Sequence, residues 1–234
     1  RRRLRQKNMV SIIIPAFNEG KTIGGIVKSV IGHPMVAEVI VVDDGSTDDT
    51  RTAAVSAGAK LLCLPDNGGK AGAMDMGVRV AKSDIVLFLD ADIVGFTNEK
   101  ISAIIDPILS GELEMHVGLL PRPSLRLFSK RVFYILPVLS GMRALTKNLW
   151  HRVPRSQRDG FKIELALNYA ARKWGRGTGY EIIPGLVHTI KEKKHGLRKG
   201  LCRRVKMYNE LVSISWELYI SGPIKDLSKL QNYL

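Results

Sequence analysis

The chain has 234 residues, of which 45% are hydrophobic and 25% are charged. This composition provides one sizeable apolar core and excludes a disordered or fibrous protein. No apolar run approaches the ~20 residues that a membrane-spanning helix needs, which argues against an integral membrane protein. The net charge of +14 calls for an anionic partner: a nucleic acid, an anionic membrane surface or a phosphorylated small molecule. The two cysteines have neither the spacing of a zinc site nor that of a disulfide framework, which favours a reducing compartment.

Apolar runs and helical spacings alternate through the first part of the chain. Continuous apolar runs predict buried parallel strands at 10–14, 39–42 and 85–89, and a further strand at 61–64. Apolar residues at helical spacing predict helices at about 21–31, 47–57 and 71–81, the second with Ser46 or Thr47 as its cap. The alternation indicates right-handed βαβ units, and therefore an α/β fold with a mostly parallel sheet and helices on both faces.

The pattern is less regular after residue 92. It predicts helices at 101–109, 125–139 and 161–174, and strands at 115–119, 141–145, 181–183 and 186–190. A basic amphipathic helix is expected from about 197 to 220. Neither an internal repeat nor a low-complexity linker divides the chain, so no domain boundary is predicted within it.

Polar, turn-forming segments follow the four early strands, at 15–19, 43–46, 66–70 and 90–92. In a parallel sheet the ligand crevice lies outside the carboxyl ends of the strands, so we expect these segments to gather at one edge. Asp90 and Asp92 place two carboxylates there, and hard cations such as Mg²⁺ or Mn²⁺ bind carboxylate and phosphate oxygens. Taken alone, such a pair is explained almost as well by the turn that ends a strand.

Two further side chains at this edge suit a nucleotide. The Asp44 carboxylate is able to accept hydrogen bonds from the N–H edge of a base, and Lys70 brings an ammonium group suited to a pyrophosphate or a base. The chain has neither the G-x-G-x-x-G pattern nor the P-loop pattern, which disfavours a dinucleotide site and a P-loop site.

In order as well as in kind, these segments resemble those of the family 2 glycosyltransferases, which have the GT-A fold. The resemblance rests on residues 11–19 (SIIIPAFNE), 41–48 (VVDDGSTD), 67–73 (NGGKAGA) and 89–92 (LDAD), and it is good to about residue 100 and loose beyond. It implies a nucleotide-sugar site formed by Pro15, Ala16, Asn18, Glu19, Asp44, Lys70, Asp90 and Ala91. It also implies that Asp90 and Asp92 hold Mg²⁺ or Mn²⁺ with the donor diphosphate, and that Asp92 is catalytic.

The resemblance implies an organisation for the whole chain as well. We expect a single GT-A domain with a Rossmann-like sheet over residues 9–220, preceded by a basic tail at 1–8. Its nucleotide-binding half would cover about 9–95, and its acceptor half, which ends in a basic C-terminal helical region, about 96–220.

Within the family the chain looks most like the polyprenyl-phosphate glycosyltransferases of the dolichol-phosphate mannosyltransferase type. This closer resemblance rests on residues 140–143 (SGMR), 161–164 (FKIE) and 194–199 (KHGLRK). It implies transfer of a hexose from a nucleotide diphosphate sugar to a polyprenyl phosphate, whose phosphate would contact Arg131, Arg143 and Lys199.

Other functions are compatible with the same charge. One alternative is a soluble glycosyltransferase that acts on a small phosphorylated acceptor such as phosphoglycerate. A sugar nucleotidyltransferase is disfavoured because its glycine-rich, arginine-containing N-terminal loop is missing. The alternative outside enzymes is a nucleic-acid-binding protein, but an aromatic content of only 6% and the lack of a known binding motif argue against a nucleic-acid partner.

Two residues of the second half are candidates for the chemistry. His188 is a candidate metal ligand, because related enzymes often carry a glutamine two residues after the second aspartate, where this chain has Val94. A histidine satisfied within a strand or loop explains it at least as well. Glu164 is a candidate to orient an acceptor hydroxyl or act as a catalytic base, while a solvated helix position or an arginine partner is the ordinary alternative. A phosphate acceptor is already anionic and needs no strong base.

The predicted helix at 125–139 has a broad apolar face, bordered by Arg122, Arg126, Lys130 and Arg131. We expect it to lie in the interface of an anionic membrane, or else to pack on the core or in a homodimer interface. The first alternative predicts a cytoplasmic protein that is peripheral on the inner face of the membrane.

Overall fold

The structure is a computed structural model that describes residues 9–121, 140–160 and 162–189, together with Ser213. Arg131 and Lys199 lie outside the described residues, as do the predicted tail at 1–8 and, apart from Ser213, the predicted helices at 125–139 and 197–220. The membrane attachment, the homodimer, the cytoplasmic location and the single-domain organisation therefore stay predictions. Within the described ranges, no helix is both long and apolar enough to cross a bilayer.

The four early strands and the three helices between them are confirmed. The strands are β1 (Val10–Ala16), β2 (Val36–Asp43), β3 (Lys60–Cys63), β4 (Ile85–Phe88), β5 (Ile93–Val94), β6 (Met115–Leu119), β7 (Arg143–Thr146), β8 (Thr178–Ile182) and β9 (Val187–His188). The helices are α1 (Ile23–Val30), α2 (Thr50–Ser56), α3 (Gly69–Val80), α4 (Asn98–Leu109), α5 (Lys147–Arg152) and α6 (Lys162–Trp174), with a short 3₁₀ helix at Arg155–Gln157. The sequence pattern does not predict β5, α5 or the 3₁₀ helix.

Seven of these strands form one sheet in the order β3-β2-β1-β4-β7-β6-β8. The strands from β3 to β4 are parallel, and β6 is parallel to β8, whereas β7 runs antiparallel to both of its neighbours. The prediction of a mostly parallel sheet is therefore confirmed, with β7 as the exception. Because β1, β2 and β4 are parallel neighbours, their carboxyl ends reach the same edge of the sheet.

The core occupies both faces of this sheet. Side chains alternate along a strand, so Ile12 and Ile14 of β1 pack in one apolar cluster with α1, α2 and α4. Ile13 packs on the opposite face, in a second cluster with α3, α5 and α6. All three isoleucines are fully buried, as an unbroken apolar run in a two-sided sheet predicts. The expected helices on both faces are thus confirmed.

Candidate active site

An open cleft lies at the carboxyl edge of the sheet, where β1, β2 and β4 end beside the first turn of α3. Its volume is ≈ 210 Å³. The lining residues are Pro15, Ala16, Phe17, Glu19, Asp44, Lys70, Asp90, Ala91 and Asp92. The sequence predicts all of them except Phe17, whose side chain is exposed. Asn18, which is predicted with them, does not line the cleft.

Asn18 joins the loop after β1 to the loop after β2. Its backbone N–H donates to the Ser46 hydroxyl at 2.9 Å, and its side-chain oxygen accepts from the Thr47 N–H at 2.9 Å. Ser46 and Thr47 are the residues that the sequence predicts as the cap of α2. That prediction is wrong, because the helix begins at Thr50 with Asp49 in the cap position. Asn18 has a φ of 55°, a left-handed conformation that asparagine adopts more readily than most residues. It therefore holds two loops of the site together.

Asp44 connects the end of β2 to the start of α3. Its carboxylate oxygens accept the Gly68 N–H at 2.8 Å and the Gly69 N–H at 2.9 Å. A carboxylate at a helix N-terminus satisfies N–H groups that have no partner inside the helix. Asp44 is only 4% exposed, yet it lines the cleft. The group that positions α3 is thus also a candidate for binding a base.

We expect Asp44→Ala to weaken both the fold and nucleotide binding. Loss of hydrogen bonds to a charged group lowers the free energy of unfolding by about 1.5–3 kcal/mol, which urea denaturation measures. Calorimetry with a nucleoside diphosphate measures the second effect. Asp66→Ala, at an exposed aspartate in the loop that precedes α3, is the matched control and is expected to change neither quantity. An unchanged nucleotide affinity in Asp44→Ala would remove this residue from the base site.

A row of alternating charges runs from Arg143 through Glu164 and Lys70 to Asp90. Lys70 Nζ lies 2.5 Å from Asp90 Oδ1 and 3.8 Å from Glu164 Oε1. Glu164 Oε2 lies 3.9 Å from Arg143 Nη2. Burial disfavours the charged form of Lys70, but the two carboxylates more than offset this effect and raise its pKa above the ordinary value. This charge row joins the end of β4 and the start of α3 to β7 and α6.

Arg143 is directed into the protein. Its Nε and Nη2 donate to the Ser140 carbonyl at 3.0 and 2.6 Å, and its Nη1 donates to the Glu164 carbonyl at 3.3 Å. Burial lowers the pKa of Arg143, and the nearby Glu164 carboxylate opposes that shift. The side chain is 0% exposed, so the predicted contact with an acceptor phosphate is corrected. Arg143 instead holds the first turn of α6 and thereby positions Glu164.

Gly141 lies directly against the Lys70–Asp90 ion pair. A Cβ at this position would overlap Lys70 Nζ and both carboxylate oxygens of Asp90. Displacement of a site by about 1 Å can lower turnover by about a hundredfold. We therefore expect Gly141→Ala to lower the sugar transfer that the resemblance implies by about that factor. The measurement is nucleoside diphosphate release, with Gly72→Ala as the control, since a Cβ on Gly72 meets no atom within 4 Å. If Gly141→Ala had the turnover of the parent protein, the Lys70–Asp90 ion pair could shift without affecting the reaction.

Asp92 and His188 form a second pair at the cleft. His188 Nδ1 lies 3.5 Å from Asp92 Oδ1, and the two side chains are 46% and 26% exposed, respectively. The pairing of β5 with β9 brings them together, because it sets Ile93 opposite His188. A carboxylate oxygen and an imidazole nitrogen are ligands that Mn²⁺ accepts, so the pair fits the predicted metal.

The remaining metal ligands would have to come from outside the described residues. Those residues contain no group of three or more His, Cys, Asp or Glu side chains that could hold a metal ion. Asp90, the other predicted metal ligand, is paired with the Lys70 ammonium group, which balances its charge. Diphosphate oxygens and water are the usual additional ligands of Mg²⁺ and Mn²⁺.

The sequence does not single out three further residues of the site, although Gly141 lies within the segment 140–143 that contributes to the closer resemblance. The Thr22 hydroxyl donates to the Ala91 carbonyl at 2.7 Å, and the Thr189 N–H donates to the Asp92 carbonyl at 2.8 Å. Gly141, the third, is notable only for the side chain that it lacks. Each contact joins segments far apart in the chain, and residue type alone does not reveal such contacts.

The fold and the site define an α/β protein with an open cleft, lined by charged side chains, at the carboxyl edge of a mostly parallel sheet. The model of the family described as "Glycosyl transferase family 2" matches residues 11–158. The chain therefore belongs to glycosyl transferase family 2, and the predicted family membership is confirmed.

Two curated relatives and one solved structure illustrate the similarity. Glucosyl-3-phosphoglycerate synthase of Mycolicibacterium paratuberculosis is 28% identical over 193 residues, which are 68% of this chain and 58% of that protein. A 4,4'-diaponeurosporenoate glycosyltransferase of Staphylococcus aureus is 38% identical over 109 residues, which are 44% of this chain and 29% of that protein. A crystal structure of glucosyl-3-phosphoglycerate synthase from Mycobacterium tuberculosis has a TM-score of 0.72 at 22% identity and covers 88% of this chain and 79% of that one.

These similarities bear differently on the fold and on the subtype. The structural likeness supports the GT-A fold. The chain spans 58% of the length of the first relative and 29% of the second. Neither relative is named as a polyprenyl-phosphate glycosyltransferase, so the closer resemblance to the dolichol-phosphate mannosyltransferase type gains no support from them.

Proposed function

We propose that this chain transfers a hexose from a nucleotide diphosphate sugar to a small phosphorylated acceptor such as phosphoglycerate, with Mg²⁺ or Mn²⁺ as cofactor. The observation that carries the proposal is the Asp92–His188 pair at a cleft whose wall holds Asp44 and Lys70. A metal-binding pair, a carboxylate for the base and an ammonium group together suit a nucleotide diphosphate.

On this proposal the residues that line the cleft share the work with two residues beside it, His188 and Glu164. Asp44 accepts hydrogen bonds from the base, and Asp92 and His188 hold the metal. When bound, the metal stabilises the negative charge that develops on the departing nucleoside diphosphate. Lys70 keeps the Asp90 and Glu164 carboxylates in place through its two ion pairs. Glu164 accepts a hydrogen bond from the acceptor hydroxyl and takes up its proton.

The acceptor class is supported by the relatives and by charge. The relative that aligns over 68% of this chain is named for the synthesis of glucosyl-3-phosphoglycerate. One solved structure of the M. tuberculosis synthase is a complex with phosphoglyceric acid, and another contains Mg²⁺ and uridine diphosphate. A net charge of +14 suits an acceptor that carries both a phosphate and a carboxylate. These points favour phosphoglycerate over the polyprenyl phosphate that the sequence first suggests.

A donor and acceptor screen tests the proposal. Nucleotide diphosphate sugars, UDP-glucose among them, are incubated with 3-phosphoglycerate, with a polyprenyl phosphate or with no acceptor, and the release of nucleoside diphosphate is measured. We expect release that requires Mg²⁺ or Mn²⁺ and 3-phosphoglycerate, and that EDTA abolishes. Release with polyprenyl phosphate but not with 3-phosphoglycerate would show that the proposed acceptor is wrong, while the proposed donor and metal would stand. Release that persists in EDTA would overturn the metal assignment.

A further inference from the structure

The ribbon formed by β5 and β9 carries His188 to Asp92. Only two residues pair on each strand, Ile93 with His188 and Val94 with Val187. Thr189 extends the contact, because its N–H and its hydroxyl both donate to the Asp92 carbonyl, at 2.8 and 3.1 Å. So short a pairing sets its own register weakly, and the position of His188 depends on whatever else fixes β9.

Gly95 and Gly185 close one end of this ribbon. Their φ values are 96° and 74°, a left-handed conformation that glycine adopts without strain. A Cβ on Gly95 would lie 2.5 Å from the Gly185 carbonyl oxygen, closer than real Cβ atoms approach. The two backbones therefore pack directly against each other.

Lys100 holds this glycine contact from the first turn of α4. Its Nζ donates to the Gly95 carbonyl at 2.6 Å, and a Cβ on Gly185 would lie 3.0 Å from the same Nζ. The helix that carries Lys100 is itself anchored, since Ile101 and Ile104 are fully buried. Leu186, next to Gly185, is buried in the same apolar cluster. One ammonium group thus lies against both glycines from a fixed helix.

We propose that Lys100 is a positioning residue for the metal pair, acting through the contact between Gly95 and Gly185. It fixes the register of β9 on β5 and so holds His188 beside Asp92. A slip of one residue would turn His188 to the other face of the ribbon. Lys100 acts through the backbone, because its ammonium group has no lone pair to offer a metal. The inference rests on the proposed metal role of Asp92 and His188.

The test measures Mn²⁺ binding without turnover. Mn²⁺ is titrated into the protein with saturating UDP and no acceptor, and binding is followed by the enhanced water-proton relaxation of protein-held Mn²⁺. Removing a group that orients a metal ligand weakens affinity by about 10–100-fold, so we expect Lys100→Met to weaken Mn²⁺ binding about tenfold. Lys100→Arg, which keeps a charged donor, is expected to restore part of the affinity. Lys28→Met, at an exposed lysine on α1, is the matched control and is expected to bind Mn²⁺ normally.

A double variant separates positioning from a general structural role. If Lys100 acts through His188, Lys100→Met adds no loss of Mn²⁺ affinity to that of His188→Ala. Unchanged Mn²⁺ affinity in Lys100→Met would overturn the inference, whether or not the unfolding temperature falls. The inference would also be overturned if Lys100→Met weakened Mn²⁺ binding by the same factor in the His188→Ala background as in the parent protein. Normal Mn²⁺ affinity in His188→Ala would overturn the proposed metal pair itself, which distinguishes the two failures.

Discussion

Asp92→Asn is expected to lower metal-dependent sugar transfer by at least about a hundredfold while the protein stays folded. On the proposed metal role of Asp92, the variant would lose a carboxylate ligand of a metal that lowers the energy of the transition state by several kcal/mol. A change of about 2.7 kcal/mol corresponds to a hundredfold in rate. Asparagine has the same shape as aspartate, and the backbone carbonyl of Asp92 is the group that binds Thr189. Nucleoside diphosphate release at saturating Mn²⁺ measures the loss of activity. The thermal unfolding temperature shows whether the protein stays folded.

Asp106→Asn is the matched control for this variant. Asp106 lies exposed on α4, so its replacement makes the same change in net charge away from the cleft. We expect it to retain both turnover and unfolding temperature. Metal-independent turnover that is unchanged in Asp92→Asn would show that Asp92 has no part in the reaction.

Arg143→Met is expected to lower the free energy of unfolding by about 3–5 kcal/mol, the usual cost of removing one partner of a buried ion pair. Methionine fills a similar volume but donates no hydrogen bonds. The variant therefore leaves the Ser140 and Glu164 carbonyls without their donor and the Glu164 carboxylate without one of its two cations. Urea denaturation measures the change.

A second substitution tests the cause of this instability. Glu164→Gln in the Arg143→Met background is expected to recover part of the lost free energy, because the unbalanced carboxylate is then removed. Arg172→Met, at an exposed arginine on α6, is the control and is expected to stay within about 0.5 kcal/mol of the parent protein. If Arg143→Met had normal stability but needed a higher acceptor concentration for turnover, Arg143 would belong to the acceptor site, as the sequence predicts.

The four early strands were predictable because their apolar runs are unbroken. A strand that is covered on both faces needs apolar residues at every position, so Ile12, Ile13 and Ile14 specify burial without any tertiary information. The cleft residues followed from the same reasoning, since the carboxyl ends of parallel strands meet at one edge. Asp44, Lys70 and Asp92 were therefore identified from their place in the chain.

The exceptions arise where a residue's environment depends on distant segments. Arg143 belongs to a segment that suggested an acceptor site, but its guanidinium is buried and bound to Ser140 and Glu164. Asp44 was expected to meet a base, and it also accepts two backbone N–H groups at the start of α3. β7 was expected as a strand, but local pattern does not reveal that it runs antiparallel to β4 and β6.

By itself, the sequence determined the order of strands and helices, the edge of the sheet that carries the cleft, and the charged groups available there. These features follow from the local periodicity of apolar residues and from the geometry of parallel sheets. Only the tertiary structure decided which polar side chains meet: Lys70 with Asp90, Arg143 with Glu164, and His188 with Asp92. The physical reason is that these partners belong to segments far apart in the chain, which only packing brings together. For Arg143, whose side chain is fully buried, a charge is tolerated only where a partner from another segment balances it.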